Sequence, residues 1–468
     1  MRYVSTRGEA PELPFDEVLL TGLARDGGLY VPASFPRFDP PALQELKGLA
    51  YAELAIRVMT PFLGATITPK DFARLVGEAY AGFDDAEVAP LREIGPGLWL
   101  MELFHGPTLA FKDYALQVLG RLFDHVLKAR TSRITVLGAT SGDTGSAAIE
   151  ACRDRDSIDI FILHPKGRVS DVQRRQMTTV KAANVHNLAI EGTFDDCQDL
   201  VKAMFNDTAF RDGLQLSSVN SINWARILAQ TVYYFFAALK LGLAEKEIAF
   251  SVPTGNFGNV YAGYVAKQMG LPIRRLVIGT NRNDILYRFF AEGEMAVRAV
   301  EPSLSPAMDI QISSNFERYL FDLYGRDGEK LRAAMAAFRR DGRLQVERNL
   351  LDQAVETFSA HRFDDAATLE TIAAVHGESG FLIDPHTAIA VASARAEMAK
   401  EKTPMVALAS AHPAKFPDAV EKATGIRPDL PAHLADLFER EERMTTLPND
   451  LSEVRAYVKT HARLQGGA

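Results

Sequence analysis

The sequence predicts an α/β protein with two open parallel-sheet lobes joined by crossover helices, plus a mostly helical N-terminal unit. Three observations carry that reading. From about Leu98 short β-rich runs alternate with helical stretches, the pattern of a parallel sheet with crossover helices. The pattern occurs twice, each time with a glycine-containing turn between strand and helix. The chain has 468 residues, 47% hydrophobic and 24% charged, which is globular usage and more than one ordinary domain needs.

Residues 1–92 carry turn signals at Asp26-Gly27-Gly28 and Asp39-Pro40-Pro41 and a helical stretch around Leu43 to Phe62, with little strand signal. They are read as the N-terminal unit. Residues 93–468 are read as the core, its smaller lobe at roughly 115–225. There Arg133–Leu137 reads as a strand and Gly145–Cys152 as a helix. Ile158–Leu163 is the next strand, followed by an amphipathic helix at Val172–Ala182 whose Arg174-Arg175 pair reads as a solvated face. Val185–Ile190 is strand-like and Phe194–Phe205 helical. The apolar run Ile227–Leu239 has 13 residues, short of the roughly 20 that a membrane helix needs. It reads as a buried helix, with Tyr233–Phe236 in the core. Glu247–Val252 then leads through Pro253–Asn259 into helical Val260–Met269 and the strand Arg275–Ile278. The final third is helix-rich, with one late strand, Met405–Ala409, before Ser410-Ala411-His412-Pro413. Asp384-Pro385-His386 reads first as a helix cap.

Charge narrows the function. With 52 Lys+Arg against 60 Asp+Glu the net charge is −8, spread along the chain. That disfavours a nucleic-acid binder working through a whole-domain positive field and still allows a local pocket for a small anion. The two cysteines, Cys152 and Cys197, form no CxxC or Cys/His spacing, and the ten histidines lack zinc-ligand spacing. A reducing compartment, the cytoplasm, is expected, with no metal and no membrane partner. The opening Met1–Gly8 is polar and lacks the apolar stretch of a signal peptide.

Ligands of open α/β sheets bind at the carboxyl ends of strands, where helix N-termini present N–H groups. Two loops qualify: Thr140–Ser146 after the Ile134–Leu137 strand, and Gly255-Asn256-Phe257-Gly258-Asn259 after Ile248–Val252. Each fits an anion cradle, and each taken singly fits a tight turn equally well. Neither is a P-loop or a dinucleotide fingerprint. A third segment, Phe104–Tyr114, sets Lys112 in apolar, glycine- and proline-shaped surroundings. Such a lysine is either a Schiff-base nucleophile with a depressed pKa or an ordinary surface lysine beside a turn.

At this point the residues match a known family. His105-Gly106-Pro107-Thr108-Leu109-Ala110-Phe111-Lys112-Asp113 resembles the cofactor-lysine segment of threonine synthases, enzymes of the tryptophan-synthase-β (type II) fold that use pyridoxal 5'-phosphate (PLP). Ser141–Gly145, Ser218–Ile227, Pro253–Asn259 and Ala411–Phe416 follow in that family's order, and Tyr3–Gly8 resembles its opening. The resemblance spans nearly the whole chain, in the longer bacterial and fungal subgroup.

Carried over, it implies that Lys112 is the catalytic lysine and holds PLP as a Schiff base. It implies that Gly255, Asn256, Phe257, Gly258 and Asn259 take the cofactor phosphate through backbone N–H groups, and that Ser410 faces the pyridine nitrogen. Ser141, Gly142, Asp143 and Thr144 would bind the substrate α-carboxylate. The acid at Asp143 stands where many relatives of the fold type carry Asn, so it needs a partner cation or another role. Asn220, Asn223 and Arg226 are the candidates for the substrate phosphate. The implied reaction is O-phospho-L-homoserine plus water to L-threonine and phosphate, the last step of threonine biosynthesis. The resemblance leaves monomer and homodimer open. A phospholyase that does not rehydrate, a dehydratase, and a non-catalytic anion-binding protein are the rivals; the phosphate candidates argue against the dehydratase, and Lys112 against the last.

Overall fold

The computed structural model describes residues 1–218, 221–242 and 246–463. The chain forms two compact units. Unit 1 comprises Met1–Leu19, Leu23–Phe111 and Ser221–Pro428; unit 2 comprises Leu20–Gly22, Lys112–Asn220 and Asp429–Ala468. The chain thus enters unit 2 at Lys112.

Unit 1 is built on a six-stranded sheet in the order Phe358–Arg362, Ile273–Thr280, Ile248–Pro253, Met405–Ala409, Leu98–Glu102, Leu91–Gly95. The first five strands run parallel and the last is antiparallel to its neighbour. The central strands are buried along nearly their whole length, as continuous apolar runs in a parallel sheet must be. One apolar layer packs Leu100, Ala249, Val277 and Ala407 of the sheet against Ala388, Val391 and Ala394 of helix Pro385–Met398. Helix Trp224–Lys240 is buried from Trp224 through Leu239, so the apolar run around Ile227–Leu239 is a core helix.

The N-terminal residues of unit 1 differ from the expectation in two ways. The helical stretch around Leu43 to Phe62 is two helices, Pro40–Glu45 and Tyr51–Leu63, interrupted near Gly48, whose φ of 81° does not continue a helix. Two strands too short to give a periodic signal, Tyr3–Ser5 and Tyr30–Pro32, pair antiparallel.

Unit 2 holds a five-stranded, all-parallel sheet in the order Thr445–Pro448, Val185–Glu191, Ile158–Pro165, Ile134–Ala139, Leu216–Ser217. The C-terminal segment supplies its edge strand and helix Leu451–His461, whose Val454 and Val458 join Phe161, Leu163 and Leu188 in one apolar cluster. Buried Asp159 in the central strand accepts from Arg463 N (2.8 Å) and Nε (2.5 Å), which ties this segment down. Arg174 and Arg175 are not a solvated face. Arg174 Nε donates to Glu442 Oε2 at 2.8 Å and Arg175 Nη2 lies 3.5 Å from Glu442 Oε1, so the pair anchors the returning chain. Among the described residues no helix is long and apolar enough to cross a membrane.

Candidate active site

In unit 2 Lys112 is the first residue of helix Lys112–Ala129, and Asp143 the first of helix Asp143–Cys152. The two helices lie side by side, start to start. A Cβ on Gly120 would stand 2.3 Å from Ala151 O, and each of these residues is eight positions into its own helix. That packing brings Lys112 Nζ to 3.4 Å from Asp143 Oδ2, both side chains under a tenth exposed. The lysine is therefore buried, and the surface alternative fails. An ammonium out of water needs a counter-charge, and Asp143 supplies it. This also gives the acid at Asp143 its partner cation.

Asp143 is itself held. Gln173 Nε2 donates to Oδ1 at 2.8 Å. Gly142, at φ 143°, makes this possible, because a Cβ there would fall 2.4 Å from the Gln173 carboxamide carbon. The turn is drawn around the Thr140 hydroxyl, which accepts from Gly142 N (3.0 Å) and Gly145 N (2.8 Å). Ser141 is exposed at the apex and Thr144 part-buried in the first helical turn.

Unit 1 presents the other loop, between strand Ile248–Pro253 and helix Gly258–Gln268. Its carbonyls are pinned from one side: Ser313 Oγ donates to Gly255 O (2.7 Å), while Asn315 N and Nδ2 both donate to Asn256 O (3.1 and 3.0 Å). In a trans peptide the C=O and the following N–H point opposite ways, so fixing the Asn256 carbonyl aims the Phe257 N–H to the other side. Phe257 caps the helix in the left-handed region (φ 61°), a conformation that costs about 1 kcal/mol or more in a non-glycine residue. Its ring offsets this by packing on Phe316, Tyr319 and Phe358. Gly255 is required where it stands, since a Cβ would meet Ala307 O at 2.9 Å.

Asn259 closes the cup. Its Oδ1 accepts from the Tyr233 (2.6 Å) and Tyr234 (3.0 Å) hydroxyls, while its buried Nδ2 has no hydrogen-bond partner among the described residues. Buried polar groups are nearly always satisfied. An unsatisfied donor beside helix-terminal N–H groups, held by residues none of which is acidic, fits the phosphate of PLP.

Ser410 follows strand Met405–Ala409 and is buried; its carbonyl accepts from Phe111 N at 2.9 Å. The residue after Phe111 is Lys112. Lys415 Nζ, fully buried, donates to Thr108 O at 2.7 Å and fixes the same segment. His105 is engaged by Glu102, and His412 Nδ1 accepts from Ala414 N. His386 is flanked by Asp384 on Nδ1 (2.6 Å) and Ala307 N on Nε2 (3.2 Å), and Asp384 caps the helix that His386 belongs to, as its place before that helix suggests.

The substrate-phosphate candidates separate. Asn220 lies outside the described residues. Asn223 is corrected: its Oδ1 caps helix Trp224–Lys240 through Ala225 N (3.0 Å), its Nδ2 donates to Leu19 O (2.8 Å), and it has no exposed surface. Both ends of the side chain are committed to the fold. Arg226, one turn on, is buried, and that burial lowers its pKa to about 10. The guanidinium still carries its charge at neutral pH, and a desolvated cation suits a phosphate. Gln173, Ser313, Asn315 and the Tyr233 and Tyr234 hydroxyls were not singled out from the sequence; each acts on residues distant along the chain.

Three family models match in order: the threonine synthase N terminus over residues 2–80, the pyridoxal-phosphate dependent enzyme over 86–347, and the threonine synthase C-terminal model over 387–458. The chain is 57% identical over 462 residues to a threonine synthase from Pseudomonas aeruginosa, covering 98% of each. Its fold is similar to that of PLP-bound threonine synthase from Brucella melitensis, with a TM-score of 0.97, 54% identity, and 99% of this chain and 100% of that chain covered. The threonine synthase from yeast gives 0.94 and 39%, with 98% of each chain covered. With these likenesses over nearly its whole length, the chain belongs to the threonine synthase family of PLP-dependent lyases.

Proposed function

We propose that the chain converts O-phospho-L-homoserine and water to L-threonine and phosphate, with Lys112 as the catalytic lysine that holds PLP through Nζ. The observation that carries the reading is Lys112 buried at a helix start, 3.4 Å from Asp143. Gly255, Asn256, Phe257, Gly258 and Asn259 hold the cofactor phosphate by backbone N–H groups, and Ser410 faces the pyridine nitrogen. Bound there, the cofactor supplies an electron sink that acidifies the substrate Cα and Cβ positions so that phosphate can leave from Cγ. Lys112 Nζ moves protons at those two carbons. Asp143 orients Nζ, and Gln173 keeps Asp143 in place. Ser141, Gly142 and Thr144 bind the α-carboxylate at the head of their helix, and Arg226 with Asn220 takes the substrate phosphate. Two buried free cysteines fit a cytoplasmic setting, and a net charge of −8 fits a small-molecule enzyme rather than a nucleic-acid or membrane binder.

The test is the visible spectrum of the purified protein before and after borohydride, with peptide mapping. A yellow band trapped on the Lys112 peptide is expected. Lys112→Ala is expected to slow threonine formation about 1000-fold or more while the protein stays folded. Substantial residual turnover, or an adduct on another lysine, removes Lys112 from the central role.

A further inference from the structure

The N-terminal segment Ser5-Thr6-Arg7 has no part in the site as described, yet it ends in one of the most enclosed ion pairs of unit 1. Arg7 donates to Glu317 twice, Nε to Oε1 at 2.9 Å and Nη2 to Oε2 at 2.8 Å, and the Thr6 hydroxyl adds a third bond to Oε1 at 2.8 Å. Both charged side chains are only 7% exposed. A buried bidentate pair of this kind contributes geometric definition more than net stability.

Glu317 lies in the first turn of helix Phe316–Leu323, and its neighbours point to what is defined. Arg318 has no exposed surface. Its Nε donates to Tyr30 O (3.1 Å), its Nη2 to Ile222 O (2.5 Å) and its Nη1 to Asn315 Oδ1. With Oδ1 turned toward the guanidinium, the Asn315 amide must present Nδ2 on its other side, and there Nδ2 meets Asn256 O. Asn315 N reaches the same oxygen, so both lone pairs of the carbonyl are used. That carbonyl belongs to the peptide whose N–H is Phe257's.

We infer that Asn315 is a positioning residue for the cofactor-phosphate loop, with its amide set by Arg318 and its helix anchored by the Thr6–Arg7 clamp on Glu317. This rests on the assignment of the Gly255–Asn259 loop to the PLP phosphate. The chain of contacts runs from the N-terminal segment to the cup. It also fixes the Ile222 carbonyl, four residues before Arg226.

The experiment uses the holoenzyme and reads PLP dissociation by dialysis together with the 31P signal of the bound phosphate. Asn315→Asp keeps the size and the Arg318 acceptor but removes the donor to Asn256 O. It is expected to raise the Kd for PLP about tenfold or more and to shift the 31P signal, with the melting temperature of the apoprotein nearly unchanged. Arg7→Lys, which keeps the charge but loses the fork, should show a smaller change in the same two readouts, and Arg7→Ala a larger one. Gly255→Ala is the control, since its Cβ meets Ala307 O. If Gly255→Ala weakens PLP while Asn315→Asp changes neither Kd nor 31P signal, the positioning role is wrong and the cup assignment stands. If neither variant affects PLP, the cup assignment itself falls. Loss of melting temperature in the Arg7 variants with PLP binding intact would make the clamp purely structural.

Discussion

The two units each place a small-residue loop between a parallel strand and a helix, and the two loops are opposite in character. In unit 2 the loop at 140–145 is tied around a side-chain hydroxyl, Thr140, and its first helical residue is an acid, Asp143, paired with Lys112. In unit 1 the loop at 254–258 is held through its carbonyls by Ser313 and Asn315, which leaves it no charged side chain and turns its N–H groups away from their supports. The same topological position thus carries an acid paired with a lysine in one unit and only uncharged side chains in the other. Topology gives the location of a loop, whereas the residues that hold it set which of its groups are free to face a ligand.

The largest effect that would sharpen this contrast is expected at Arg226, a buried cation of unit 1. Arg226→Gln should raise KM for O-phospho-L-homoserine about 10- to 100-fold, the value of a charge-assisted bond, and leave PLP affinity within about threefold. Steady-state kinetics beside a PLP titration decide it. Equal losses in both would make Arg226 a packing residue and leave the anion reading of unit 1 to the backbone loop alone.

Asp143→Asn tests the other half. Asparagine keeps an acceptor for Gln173 and removes only the charge near Lys112. We expect kcat to fall about tenfold with KM little changed, because the charge orients Nζ rather than gripping substrate. Unchanged kcat would break the contrast, since the acid would then be incidental.

A smaller effect separates fold from function at Asn223. Replacing a helix N-cap by alanine costs about 1 kcal/mol, so Asn223→Ala should lower the melting temperature by a few degrees and leave KM for the substrate unaltered. A selective rise in KM would restore it as a ligand.

Asn223 also shows how much was legible in the sequence and why the rest was not. An asparagine directly before an apolar helix is a capping signal, and the capping role was readable there; the family resemblance, which called for amide donors to a phosphate, drew it toward the substrate instead. Elements governed by their own residues were clear: Met405–Ala409 has the limits its apolar run suggests, and Ile158–Leu163 is a buried central strand. Lys112 and both loops stood out because each is a local pattern. What stayed hidden depends on partners far along the chain. Glu442 is 268 residues from Arg174, and Asn315 is 59 from Asn256. No periodicity records such pairs. The strands Tyr3–Ser5 and Tyr30–Pro32 were hidden for another reason, since three residues cannot display an alternation.

The last prediction concerns which unit yields first to acid. In unit 2 the His186 ring stacks on Phe161 (4.4 Å between centroids) and lies 5.5 Å from His461, which stacks on Tyr457 of the C-terminal helix. Burial, and next the proximity of His461, push the His186 pKa down to about 4; Asp159 opposes the shift, while Arg443 and Arg463 add to it. An imidazole whose pKa is depressed in the folded state binds its proton more readily when unfolded. Its contribution is therefore complete above the unfolded value of about 6.5 and is lost as pH falls from there toward 4. Ordinary carboxylates join only below about pH 5; between about 6.5 and 5 the depressed imidazoles His186 and His164 of unit 2 respond, beside Asp322 of unit 1, whose pKa burial raises to about 6. In that interval the supports of the unit 1 loop, Ser313, Ser314 and Asn315, do not titrate. Hydrogen exchange read peptide by peptide should show residues 451–461 losing protection before residues 254–258, and His186→Phe should remove most of that early loss. If the two segments open together, or if the phenylalanine variant follows the same pH course as the parent, the stacked imidazoles do not govern the acid response of unit 2.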